Sequence, residues 1–183
     1  MKQTVKVAFS GIFAALGVVI LFLTGVIPVA TIALPALAGC ILIPVVAECG
    51  EKWGFGVFAA TAILSFFLAG DREAVLIYAL FFGYYPVLYA VLDKIRSKGI
   101  RYAVKLMIFN IAAVSEVLIA TYIFGIPLEN FSFSNGFLGI LIPIAFLLLA
   151  NLVFVVYDYA LKGIIFTYFA RLHKTAKKFL NIK

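Results

Sequence analysis

The residue with the most to say is Glu116, a lone carboxylate in an otherwise apolar run. Between Tyr102 and Gly125 the only other charge is Lys105, near the start. Counting from Tyr102 at about 1.5 Å per residue puts Glu116 roughly 21 Å along a helix, in the outer half of a core about 30 Å thick. An ionisable group at that depth needs water, a partner or a proton, and usually faces a bundle interior or a cavity. Ala112, Ala113 and Ala120 lie three or four positions away on the same face, leaving room for another helix or a ligand. Two readings stand: a protonated glutamate bonded to a neighbouring helix, or a ligand contact, for which a cationic or hydrogen-bond-donating ligand is the match. Tyr78 and Phe81, on an aromatic-rich helix, fall at the same depth. They are either core packing or a stacking surface for a flat organic ligand. Asp71-Arg72-Glu73 opens that helix. Asp71 suits an N-cap and Glu73 the positive end of the dipole, while Arg72 is the one outside cation able to grip an anion. The segment Pro127–Gly136, which includes Asn135, has the turn residues and aromatics of a loop over a cavity mouth.

Other chemistry is missing. The single His173 sits among tail lysines and reads as solvated. Cys40 and Cys49 are nine apart, with no CxxC motif, and read as packing residues. There is no HExxH, no GxSxG and no phosphate loop. Asp71 falls outside, whereas Asp93 and Asp158 fall near the inner face, so no aspartate pair shares a depth. The expectation is a protein that is not an enzyme, with no metal and no cofactor.

These residues need elements to hold them. Of 183 residues, 66% are hydrophobic and 13% charged, with mean hydropathy +1.18. Soluble domains run at roughly 45–50% apolar and about 25% charged, so the bilayer must be the solvent. No charge occurs between Lys6 and Glu48, room for two helices broken near Gly25, Pro28 and Pro35. Continuing along the chain, the expected spans are 5–28, 32–49, 53–70, 73–92, 102–125 and 137–161, followed by a basic amphipathic tail over 163–183. The fold class is thus an all-α integral membrane protein, one six-helix domain covering 1–183. With a cytoplasmic N-terminus, 14 of the 15 Lys and Arg residues fall inside, Arg72 being the exception. That split places both termini in the cytoplasm of a cell (inner, cytoplasmic) membrane. It also accounts for the net charge of +7 through membrane lipid headgroups rather than nucleic acid. Asp158, four residues before Lys162, is expected to pair with it. Asn110 and Asn151 are expected to hydrogen-bond between helices.

The first helix carries small residues four apart, Ser10 with Ala14 and Gly11 with Ala15, a spacing that permits close helix approach. The chain's size, its six helices with both ends inside, its basic inner face and this spacing together resemble a substrate-binding S component of energy-coupling factor transporters. That resemblance implies docking of the first helix on a coupling transmembrane subunit, with separate ATPase subunits supplying energy. It also implies a solute site in the outer half, under the loop joining helices one and two, with helices four to six contributing. Tyr78, Phe81, Glu116 and the Phe131–Asn135 loop fall in the matching regions. The histidine-bearing N-terminus of the nickel and cobalt members is absent here. The expected function is capture of a small organic, vitamin-like solute for ATP-driven uptake. The alternatives are a membrane scaffold without a transported ligand and a small self-sufficient transporter.

Overall fold

The computed structural model describes residues 2–122 and 137–179. Every regular element among them is helical. Helix α1 covers Gln3–Phe22 and ends in single 3-10 turns at Leu23–Gly25 and Pro28–Ala30. Then come α2 (Ala33–Cys40), α3 (Leu42–Cys49), α4 (Glu51–Leu68) and α5 (Arg72–Ile77). A π turn at Tyr78–Phe82 leads into α6 (Tyr85–Leu92). Two long helices follow, α7 (Lys98–Tyr122) and α8 (Phe137–Thr167), and a second π turn at Tyr168–Leu172 joins α8 to α9 (His173–Phe179). Among the described residues five helical stretches are long and apolar enough to cross a membrane: Gln3–Gly25, Glu51–Leu68, Arg72–Leu92, Lys98–Ile119 and Ile144–Lys178. Ala33–Cys49 is apolar but shorter. The outward faces carry Ile12, Val19, Phe67, Met107, Ile111, Leu148, Leu152 and Val156, each at least half exposed. In water that surface would be prohibitive; in lipid it is the favourable one.

Proline explains where the helices break. Pro44 has no N–H for the carbonyl of Cys40, and α2 gives way to α3 at Ile41. Pro86 likewise leaves the carbonyl of Phe82 without its helical donor, at the junction of the π turn and α6. That carbonyl lies against Gly39 of α2, where any Cβ would collide with it. Glycine there lets α2 ride directly on the wide turn, which is closed by a 2.7 Å bond from the Gly83 N–H to the Tyr78 carbonyl. Two further residues set the local geometry, and Asp71 does so as expected. Gly50, at φ +97°, reverses the chain between α3 and α4. Asp71 caps α5, accepting from the Ala74 N–H at 3.0 Å.

Helix α3 is the hub of the packing. One face, with Leu42, Val45 and Cys49, packs on Val57 of α4 and Val87 of α6, with Phe9 and Phe13 of α1 alongside. Its other face, through Ile43, joins Tyr85, Phe154, Leu161 and Tyr168. Tyr78 is sealed with Leu21 and Ala38. Along α1, Ser10 and Gly17 are buried, and a Cβ on Gly17 would sit 2.9 Å from Thr61 of α4.

At the end of the bundle where α3 and α8 finish, two carboxylates are buried, and each is answered. Asp158 of α8 accepts from Lys105 Nζ at 2.6 Å and from the Tyr85 hydroxyl at 2.5 Å. Lys105 is 3% exposed and Asp158 6%. The ammonium also lies 3.8 Å from the Tyr89 ring centroid and 5.6 Å from that of Tyr102. The partner of Asp158 is therefore on α7. Lys162, expected to pair with it, is exposed instead, because near the end of the helix its long side chain is free to reach water. Glu48 of α3 accepts from the Tyr168 hydroxyl at 2.8 Å and contacts His173 Nδ1 at 2.6 Å. His173 is thus clamped to the bundle rather than solvated. The residues read as a tail continue α8 through the π turn, which brings both Tyr168 and His173 round to Glu48. Removing one member of a buried ion pair strands the other, at a cost of about 3–5 kcal/mol. Lys105→Met should lower the thermal midpoint of the purified protein sharply. Lys105→Met combined with Asp158→Leu should recover most of the loss, and a double variant no better than the single one would show that the pair is not the cause.

Candidate functional site

Three contacts fix how α7 and α8 run past one another. Lys105 meets Asp158, Phe109 stacks on Phe154 with ring centroids 4.4 Å apart, and Asn110 and Asn151 exchange hydrogen bonds of 2.9 and 3.0 Å. Each asparagine also donates to the carbonyl one turn back, Leu106 or Leu147, at 2.7 and 2.8 Å. The expected interhelical bonding is present. Continued outward, this antiparallel register brings Phe146 level with Glu116.

Between these helices and the π turn lies a cavity of about 460 Å³. The π turn and its flanks contribute Ile77, Phe81, Phe82, Tyr84 and Tyr85; α7 contributes Phe109 and Glu116; α8 contributes Phe146, Phe154 and Tyr157. A π turn carries one residue more per hydrogen-bonded ring than an α turn. Here it turns two consecutive phenylalanines, Phe81 and Phe82, to the same space. Phe81 meets Phe109 at 5.3 Å, and Phe82 meets Tyr157 edge-on at 4.9 Å. Tyr85 forms part of the wall while its hydroxyl is held by Asp158, so the cavity rests on the Lys105–Asp158 pair.

Among the described residues Glu116 is the one charged side chain in that wall. Among the described residues no cation lies within ion-pair distance of it, and the charge that acts on it from α5 is another acid, Glu73. Of the residues singled out from the sequence, Glu116 and Phe81 come together here. Tyr78 is 0% exposed, packed behind the wall rather than in it. Arg72 is exposed at the start of α5, away from this wall. Asn135 lies outside the described residues. On α1 the two small-residue pairs part company. Ser10 is buried, and Ala14 packs on the core and accepts from Thr61 Oγ1 at 3.4 Å. Gly11 and Ala15 are exposed, and a Cβ on Gly11 would meet nothing within 4 Å.

Phe109, Phe146, Phe154 and Tyr157 were not singled out from the sequence. The signal for them was the asparagine pair: once Asn110 bonds Asn151, the α8 residues facing Glu116 follow from the register. Comparison of the chain with known protein families, with curated proteins and with solved structures finds no match. The site is accordingly read from its own geometry. If the cavity is wetted, Glu116→Cys, with Cys40 and Cys49 both changed to Ala, should react with a charged thiosulfonate far faster than Leu118→Cys, which points outward on the same helix. Equal rates in opened membranes would put position 116 against lipid.

Proposed function

We propose that this chain is a membrane-embedded solute-binding subunit, an S component of the energy-coupling factor type. It would capture a small organic solute on the outer side and pass it inward with the help of a coupling subunit and separate ATPase subunits. The observation that carries this reading is an uncompensated carboxylate in the wall of a ligand-sized, aromatic-lined cavity. Ligand sites of this kind have apolar walls and few polar groups, and a carboxylate kept in a membrane helix without a cation is costly unless it is used. The free face of α1 at Gly11 and Ala15 supports a docking role beside it, because close helix approach needs small side chains. The sequence has no phosphate loop to supply the energy itself.

The topology proposed with it has six crossings and both termini in the cytoplasm of the cell membrane. Five crossings are the long apolar helices, and the sixth is Ala33–Cys49. Its 17 residues span about 25 Å at helical rise, and the 3-10 turn at Pro28–Ala30 extends its outer end. The Lys and Arg distribution supports the orientation. A reporter joined after Lys183 should read as cytoplasmic, and an external reading would overturn the topology.

Partner docking separates this reading from a self-sufficient transporter. Gly11→Leu together with Ala15→Leu should abolish copurification of ATPase and coupling subunits in mild detergent while leaving the thermal midpoint unchanged. Gly17→Leu, which drives into Thr61, should instead unfold the chain. Full transport by the Gly11→Leu, Ala15→Leu protein without partners would favour the self-sufficient reading. Partners retained with no solute bound would favour a scaffold.

A further inference from the structure

The wall of the cavity specifies more than the presence of a solute. We infer that it takes an organic monocation with a flat, apolar body, the positive charge at Glu116 and the body against the Phe109–Phe154 stack. This deepens the solute-binding reading above and rests on it for its biological meaning, though the binding itself is testable alone.

The sign of the charge follows from an inventory of the wall. Among the described residues its one carboxylate is Glu116, and none of them is a lysine, arginine or histidine. The charge that acts on Glu116 from α5 is a second acid, Glu73, of the same sign. Asp158, beyond the wall, is answered by Lys105 at 2.6 Å and by the Tyr85 hydroxyl. A phosphate or carboxylate ligand would meet one acid, aromatic faces carrying negative quadrupoles, and no cation to receive it. A metal ion would find a single carboxylate, and among the described residues no group of three His, Cys, Asp or Glu side chains could hold one. An ammonium or other nitrogen cation is attracted both by the carboxylate and by the ring faces.

The shape follows from the helix. Phe109 lies seven residues before Glu116 on α7, two turns or about 10 Å deeper. The register with α8 sets Phe146 beside the charged end and Phe154 beside the deep end. Phe109 and Phe154 are nearly parallel, at 22°, and Phe81 and the Phe82–Tyr157 pair continue the aromatic lining. A charge at one end and a ring roughly two helical turns away fit that layout. At about 460 Å³ the cavity is of drug-like ligand size. It would accept a fused ring with a short charged arm.

Three naphthalene probes sharing one body test this: naphthylethylammonium, naphthylethanol and naphthylacetate, titrated into the purified full chain in mild detergent. The ammonium should bind at least about tenfold more tightly than the alcohol, the scale of one hydrogen bond to a charged group, and the acetate should bind weakest. Glu116→Gln keeps the shape and should bring the ammonium down to the alcohol's affinity without changing the alcohol. Phe154→Leu should weaken ammonium and alcohol alike, and unchanged thermal midpoints would certify both variants as folded. Equal affinity of ammonium and alcohol, or a Glu116→Gln protein that still prefers the ammonium, would overturn the inference and leave an apolar cavity only. The result is independent of partner capture. Cation selectivity without copurifying ATPase subunits would sink the importer reading and keep this site. ATPase subunits with no cation preference would do the reverse.

Discussion

Lys105 and Asp158 meet where neither can reach water, and much of the bundle is arranged around that meeting. An isolated charge in such a place is expensive; a pair with its remaining hydrogen-bonding capacity satisfied is tolerable. The ammonium has the carboxylate and the face of Tyr89, and the carboxylate has the ammonium and the Tyr85 hydroxyl. Three separate helices, α6, α7 and α8, are tied at one point. A slip of α8 by one residue would rotate Asp158 by about 100° away from Lys105, leaving both groups buried and unpaired. The pair therefore sets the register more than it adds net stability, and the asparagine exchange one and a half to two turns above enforces the same alignment at about 1 kcal/mol per contact.

The cavity depends on that register. With α7 and α8 locked, Phe109 must stack on Phe154, and Phe146 must rise to the level of Glu116. The opposite wall is set by a different constraint. Pro86 removes a helical donor, the turn before it widens, and Gly39 allows α2 to close on the exposed carbonyl of Phe82. A regular α-helix over the same stretch would place Phe81 and Phe82 100° apart with different neighbours. A second π turn, at Tyr168–Leu172, likewise brings Tyr168 and His173 onto Glu48. In both places the widened turn points side chains at a group that a regular helix would miss.

How much of this was legible beforehand depends on the range of the interaction. The apolar runs, the Asp71 cap and the helix break near Gly25 and Pro28 are local, and the sequence carries them openly, whereas Pro35 falls inside α2. Glu116 stood out because its cost is a property of depth alone. Phe81 was recognised from its depth on the same footing, but Tyr78 was not separable from it: the two differ in which neighbour covers them, and the π turn that holds both has no simple sequence signature. The pairing of Asp158 was misread for a related reason. Lys162 is its neighbour in sequence, whereas Lys105 is 53 residues away and becomes a neighbour only once α7 and α8 are aligned. His173 among lysines has the composition of a solvated tail, and its contact with Glu48, 125 residues earlier in the chain, exists only because α8 continues through the π turn and brings it back to α3.

Three carboxylates among the described residues are drawn into the bundle, and their treatment differs. Glu48 has a tyrosine hydroxyl and an imidazole, and Asp158 has an ammonium and a tyrosine hydroxyl. Both lie near the end of the bundle that carries the basic segments, which supply partners at short range. Glu116 is in the other half, far from that supply, and it faces a space rather than a side chain. If burying carboxylates were simply tolerated here, all three would show the same neglect. Instead the structure satisfies the two that brace helices and leaves open the one that borders a cavity. An acid serving only to hold helices together would be expected to follow the first pattern. Glu116 follows the second, which is what a site that receives its counter-charge from outside the chain requires.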